Sequence, residues 1–174
     1  MKPKSNNKGW QMKQNGQSIV ELALITPLML IALYIPVDFG IAFFTAHLTQ
    51  NAVREGARIG SGLISSDNAH PLQSSQGTVI KDAVFARLPQ KLSNPTVNVK
   101  FYFAGTAATC MQVVEVTTSG NYDYGWYHLL RLVGITTPSS LPISKTTQMR
   151  YNYQRSDNNS PTCAAVDFDR TYPS

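Results

Sequence analysis

Charge is scarce in this chain. Charged side chains make up 14% of its 174 residues, against about 25% in an ordinary soluble domain. The shortage is local: no Lys or Arg occurs from Gln14 to Val53, and between Leu22 and Ala46 the only charge is Asp38. That run is long enough to cross a bilayer, which takes about 20 apolar residues. Catalytic patterns are missing too. His47, His70 and His128 are far apart in sequence, with no i,i+4 pairing and no acid at metal-ligand spacing. No G-x-S-x-G elbow surrounds a serine, and no glycine-rich phosphate loop is present. Asp67, Asp82 and Glu115 are scattered. These absences argue against an enzyme, and neither a cofactor nor a metal is expected.

There are only two cysteines, Cys110 and Cys163. In an oxidising compartment they would pair into a disulfide; the alternative is two free thiols. The formal charge of +5 is a front-end effect, because Lys2, Lys4, Lys8 and Lys13 precede Gly16 with no acid among them. A short basic tail is not a basic face, so nucleic acid is not an expected partner. Lysines beside a span stay on the cytoplasmic side. The expected orientation therefore has the N-terminus inside and the residues beyond about 60 outside the cytoplasm.

Residues 1–16 read as a polar leader. Residues 17–61 read as one long helix, because "TAHLTQNAVREGARIGSG" continues small and apolar residues at helical spacing after the apolar run. Pro27 and Pro36 sit inside it, and Gly60 and Gly62 offer its C-terminal stop. A helix of that length exceeds what an anchor needs, so its second half has work outside the bilayer. Residues 62–76 read as a polar linker. Residues 77–154 read as a small α+β domain: a short amphipathic helix, then three strands, "TVNVKFYF", which alternates cleanly, "MQVVEVTTS", and "ISKTTQMRYNYQ", in which Met149, Tyr151 and Tyr153 alternate with polar residues. The segment "GWYHLLRLVG" before the third strand is a short apolar helix or a loop. Residues 155–174 read as an irregular tail that Cys163 would pin to Cys110. The expected fold class is thus α+β, a long N-terminal helix with a small antiparallel sheet of about three strands.

Glu21 lies near the front of the apolar run, where a carboxylate in hydrocarbon costs roughly 2.5–3.5 kcal/mol on insertion scales. Cleavage after Gly16 would make Glu21 the fifth residue of the mature chain, one helical turn from a new α-ammonium at Gln17. A buried carboxylate is tolerated if it meets a cation. The cation would be its own amine or that of an adjacent subunit, which would make Glu21 an assembly and register device. The alternative is a carboxylate that snorkels to the interface.

The basic leader, the glycine, the glutamate at the fifth position and the long apolar helix resemble the type IV prepilin class. The fuller string resembles the TadE-like family of minor pilins, or pseudopilins, of the tight-adherence (Flp/Tad) pilus machinery. The likeness covers about residues 16–61. It rests on Gly16-Gln17, Val20-Glu21, Ala23-Leu24, Pro27, Asp38-Phe39-Gly40 and Arg54-Glu55-Gly56-Ala57-Arg58. The chain departs from the pattern at Leu22, where an aromatic is common, and at Ile41, where an Arg often follows Asp-Phe-Gly. It departs also at Asn15, where a basic residue is usual, and at the added Pro36. The resemblance implies cutting after Gly16 by a prepilin peptidase, and residence in the bacterial inner membrane or in a pilus. It implies, as partners, other minor pilins, the major pilin and an inner-membrane assembly platform, together with a role in adhesion and biofilm formation. The small residues after Asn51 would let helices approach closely or would pack on the chain's own β-domain. Glu55 and Arg58 are expected to face the junction with that domain. The competing reading is an uncleaved signal-anchored outer domain that binds a ligand or envelope partner.

Overall fold

The computed structural model describes residues 14–63, 74–104, 111–125, 130, 134–136, 138–151 and 166–174. Helix α1 spans Gln14–Gly62, 49 residues with Pro27 and Pro36 inside it. It begins three residues before the expected start at Gln17. Each proline removes one helical donor and crowds the carbonyl four residues back. Beside the first, the Thr26 hydroxyl donates to the Leu22 carbonyl at 2.6 Å, so this side chain leaves no bare hydroxyl in an apolar stretch.

The chain divides into two compact units. One comprises Met1–Phe39 with Gly125–Thr137, the other Gly40–Tyr124 with Pro138–Ser174. In the first unit α1 is exposed on all sides from Ser18 to Leu30 and is mostly apolar: Ile19, Val20, Leu22, Leu24, Leu28 and Met29 stand in the open, as does Leu33. In water such a surface would be a liability; a bilayer is the solvent that suits it.

The second unit holds the rest of α1, helix α2 (Ser74–Phe85) and four strands. These are β1 (Leu92–Ala104), β2 (Met111–Asp123), β3 (Ser140–Arg150) and β4 (Val166–Pro173). They form one antiparallel sheet in the order β3-β2-β1-β4. The alternation seen in sequence sets the two faces. Val97, Val99 and Phe101 of β1 and Val114 and Val116 of β2 point into the core. There they meet Ala52, Val53 and Ala57 of α1 and Ile80 and Val84 of α2. A strand whose side chains alternate in this way buries one face and leaves the other to water.

The water-facing side is a polar lattice running across all four strands. Lys100 on β1 pairs with Asp169 on β4 at 3.1 Å. Asn98 donates to Asp169 at 2.8 Å and to Thr171 at 2.9 Å. Glu115 on β2 accepts from Gln148 on β3 at 2.6 Å and from Tyr102 at 3.3 Å. Thr117 and Thr146 exchange a hydroxyl hydrogen bond at 2.9 Å.

The α+β class stands, with four strands where three are expected. The fourth, β4, lies in the segment read as an irregular tail. Its pairing with β1, from Thr96↔Pro173 to Tyr102↔Val166, gives it a neighbour that the sequence around it does not announce. Strands β1 and β2 run longer than expected, β3 starts three residues early and ends at Arg150, and α2 starts three residues before the segment "GTVIKDAVFARLPQKL". Near its start β1 has an irregularity between Ser93 and Thr96, at Asn94, whose φ is 48°. Asn is among the residues that tolerate that left-handed conformation. Tyr151, expected inside the third strand, follows β3 directly and is buried; Tyr153 lies outside the described residues, as do Cys110 and Cys163.

The N-terminal helix as candidate functional site

The residues singled out by sequence are spread along α1 in three groups. The first is Gly16, Gln17 and Glu21. The helix already runs through the Gly16–Gln17 peptide bond, so a protease acting there meets helical backbone that must open locally. Glu21 is exposed, and its neighbours Val20 and Leu22 are each exposed by about two thirds. The apolar stretch that follows includes Pro27. The segment Ser18–Gly62 is long and apolar enough to cross a membrane, by length and composition.

The second group is Asp38-Phe39-Gly40. Asp38 is 1% exposed. Its Oδ1 accepts a hydrogen bond from the Gly125 backbone N–H at 3.3 Å, within the first compact unit. Ile41 stands where a cation is common, and the structure gives this carboxylate a backbone donor from a segment distant in sequence. Nothing in the sequence around Gly125 points to it. Phe39 is partly exposed, and a Cβ added at Gly40 would meet nothing within 4 Å.

The third group is Arg54-Glu55-Gly56-Ala57-Arg58, and its members face different ways. Buried residues of the second half of α1 recur three or four apart: Ala42, Thr45, Thr49, Ala52, Val53, Gly56, Ala57, Gly60 and Ser61. All but Val53 and the two threonines are very small, which lets the helix axis come close to the sheet and α2. The two glycines mark the tightest points. A Cβ at Gly60 would stand 2.8 Å from Val114 Cγ1 and 2.9 Å from Ile80 Cδ1, and one at Gly56 would overlap Val84 Cγ2. Arg54 and Arg58 point to solvent. Glu55 sits between the two environments. It accepts a forked pair of hydrogen bonds from Arg58, at 2.6 and 2.8 Å, and an ion pair at 2.6 Å from Arg87, just beyond α2. Glu55 therefore ties the helix to the neighbouring element, whereas Arg58 acts along its own helix and is largely exposed. Arg87 is absent from any sequence-based list because it reads there as part of an amphipathic helix.

Two further contacts secure this half of α1. Gln50 donates to the Thr147 hydroxyl on β3 at 2.8 Å. The Tyr151 hydroxyl donates to the Leu63 carbonyl just after the helix end. Among the described residues no group of three or more His, Cys, Asp or Glu side chains is placed to hold a metal ion.

The family model described as TadE-like protein matches residues 16–58. The likeness to the TadE-like family is confined to these residues. The match covers about a quarter of the chain and all three groups of residues on α1. Among the described residues the apolar N-terminal helix is compatible with a single-pass membrane anchor. No curated protein and no solved structure matches the chain.

Proposed function

We propose that this protein is a minor pilin, or pseudopilin, that supports assembly of a Tad-type pilus used for adhesion. A prepilin peptidase removes residues 1–16 on the cytoplasmic side. The mature chain starts at Gln17, is held in the bacterial inner membrane by the first half of α1, and carries its β-domain outside the cytoplasm. It works with other minor pilins, the major pilin and the assembly platform. Glu21 is the register residue: its carboxylate seeks the Gln17 ammonium of the same or an adjacent chain, and desolvation makes an unmatched position unfavourable. Cys110 and Cys163 form the disulfide of the outer domain.

The observation that carries this reading is the division of labour within one TadE-like helix. Its first half is apolar and largely exposed, whereas its second half is small-residue and packed into its own domain. An ordinary anchor needs only the first of these.

The test is the intact mass and N-terminal sequence of the protein extracted from membranes. A start at Gln17 is expected, with Met1 retained when the peptidase is deleted. In the processed protein, Glu21→Gln is expected to leave cleavage and membrane insertion intact while piliation falls at least about tenfold, the effect of losing roughly 1.4 kcal/mol of docking. Retention of Met1 in cells with an active peptidase would make this an uncleaved signal-anchored domain.

A further inference from the structure

Among the described residues β3 and β4 are each paired on one side only, and hydrogen bonds fix which backbone groups their other sides present. The Tyr151 N–H donates to the Gln112 carbonyl at 2.9 Å, and the Tyr124 N–H to the Ser139 carbonyl at 3.3 Å. Bonded and non-bonded pairs alternate along an antiparallel ladder. With the register Val113↔Arg150 to Asp123↔Ser140, the odd-numbered residues of β3 are therefore the ones bonded to β2. The backbone groups of Ser144, Thr146, Gln148 and Arg150 turn outward. At the other edge the Ser174 N–H donates to the Pro95 carbonyl at 3.2 Å. By the register Thr96↔Pro173 to Phe101↔Phe168, the backbone groups of Asp169 and Thr171 turn outward there. Such an edge is a template for another strand.

Strand direction limits what can add there. All three pairings are antiparallel, so β3 and β4 run in opposite directions. A second copy set beside the first without rotation brings its β3 against β4 as an antiparallel pair. The same shift leaves the α1 segments of the two copies pointing the same way. Within this unit a Cβ at Gly56 would lie 3.6 Å from Val116, and one at Gly60 2.8 Å from Val114, so α1 runs along β2. Joining two β3 edges antiparallel needs a two-fold axis normal to the sheet, which would reverse α1 between the copies. Chains anchored in one membrane by that helix can use the first arrangement and not the second.

We infer that β4 of one copy pairs with β3 of the next, so that this sheet takes a second copy of the same chain as its partner in an open head-to-tail row. The orientation argument rests on the reading of α1 as a membrane anchor. Charge sets the register. Arg150 makes no ion pair among the described residues, and it stands opposite Asp169 of the neighbouring copy, on the same solvent-facing side. Thr171 then meets Gln148, while on the other side Arg170 meets Met149 and Tyr172 meets Thr147. No like charges are opposed, as a stable cross-strand pairing requires. The overlap stops short of Pro142, whose missing N–H closes the rest of that edge, and it ends at Pro173 on the other strand. A contact this short is weak between free molecules, but confinement to one membrane raises the effective concentration of its partner.

The test replaces Gln148 by the photoreactive amino acid p-benzoylphenylalanine in the full-length chain and irradiates the membranes of the bacterium that makes it. Carbonate extraction of the same membranes reports on the anchor. Within one copy, residues 148 and 171 lie on opposite edges of a four-stranded sheet, at least about 14 Å apart at about 4.8 Å per strand, so a link between them joins two copies. The expected result is a product of twice the chain's mass, with residue 148 joined within the segment Asp169–Pro173, and a fainter ladder at higher multiples. Adding Arg150→Glu should lower the yield at least about twofold, the weight of an exposed ion pair, with the circular dichroism of the purified protein unchanged. A product joined through β3 of both copies, or one with a different protein, overturns the inference. Carbonate-resistant protein that gives no product also overturns it and leaves the anchor standing. Release by carbonate overturns the anchor, and the product then decides the strand pairing by itself.

Discussion

Single residues on α1 are decided by what lies within a few ångströms of them, and Gly60 is the sharpest case. Replacing a helical glycine by alanine gains about 1 kcal/mol of helix propensity. At Gly60 the new methyl would press on Val114 and Ile80 at 2.8 and 2.9 Å, and overpacking of that kind costs about 1–3 kcal/mol. The crowding wins. Gly60→Ala is expected to lower the unfolding free energy by about 1 kcal/mol. Gly40→Ala, which meets nothing within 4 Å, should raise it by up to about 1 kcal/mol. Chemical denaturation of both variants in the same detergent checks the pair, and equal effects at the two positions would show that packing at Gly60 does not matter. Asp38 makes the opposite point about legibility. The Asp-Phe-Gly block marks Asp38 in the sequence. The block does not reveal the Gly125 N–H that its carboxylate accepts from, because a backbone N–H carries no sequence signature.

At the scale of elements, periodicity carried most of the information. The alternation Val97, Val99, Phe101 marks a core face without any alignment, and the 3.6-residue recurrence of small residues marks the packed side of α1. Strand β4 escaped because its support is tertiary. In Val166-Asp167-Phe168-Asp169-Arg170 the alternation is present, but two acids and an arginine in five residues argue against a strand on propensity alone. Pairing with β1 supplies what propensity does not, and part of that attachment is electrostatic. The Asp169 carboxyl is held below its ordinary value, first by the Asn98 hydrogen bond and then by Lys100, while Lys100 is raised by the same partner. A depressed carboxylate stabilises the fold fully above its ordinary value near 4, and the contribution is lost as pH falls through the lowered folded value. The raised Lys100 contributes below its ordinary value near 10.4 and is lost above it. Between those limits both are present. Both groups are exposed, so the contribution is small. Asp169→Asn is expected to lower the thermal midpoint slightly at neutral pH, with the gap to the parent protein closing in acid, below the carboxyl's lowered folded value. A gap of the same size at both pH values would mean that the carboxylate charge is not what holds β4.

The whole molecule poses one question that neither residues nor elements answer, which is whether the outer domain needs its anchor to fold. The second compact unit, Gly40–Tyr124 with Pro138–Ser174, has a complete core of its own: Ala52, Val53 and Ala57 from the helix, Ile80 and Val84 from α2, and five inward residues of β1 and β2. Its polar sheet face is hydrogen-bonded across all four strands. The exposed apolar surface of α1, by contrast, is concentrated between Ile19 and Phe44, and most of it precedes Gly40. Folding free energy should therefore reside in the second unit, and the need for a membrane in the first. A chain of residues 40–174 is expected to run as a folded species on size exclusion without detergent. It should unfold in one cooperative transition, since a single core of this size behaves as an all-or-none unit. It must keep residues 40–62, because α1 supplies one whole wall of that core. A second chain starting at residue 63 should aggregate, with Val97, Val99, Val114 and Val116 uncovered. If both fragments behave alike, α1 contributes nothing to the domain, and the small-residue stripe from Ala42 to Ser61 is free for contacts between subunits. If only the longer one folds, that stripe is spent inside the chain, and helix-to-helix contacts with other pilins must be made by the apolar half that precedes it.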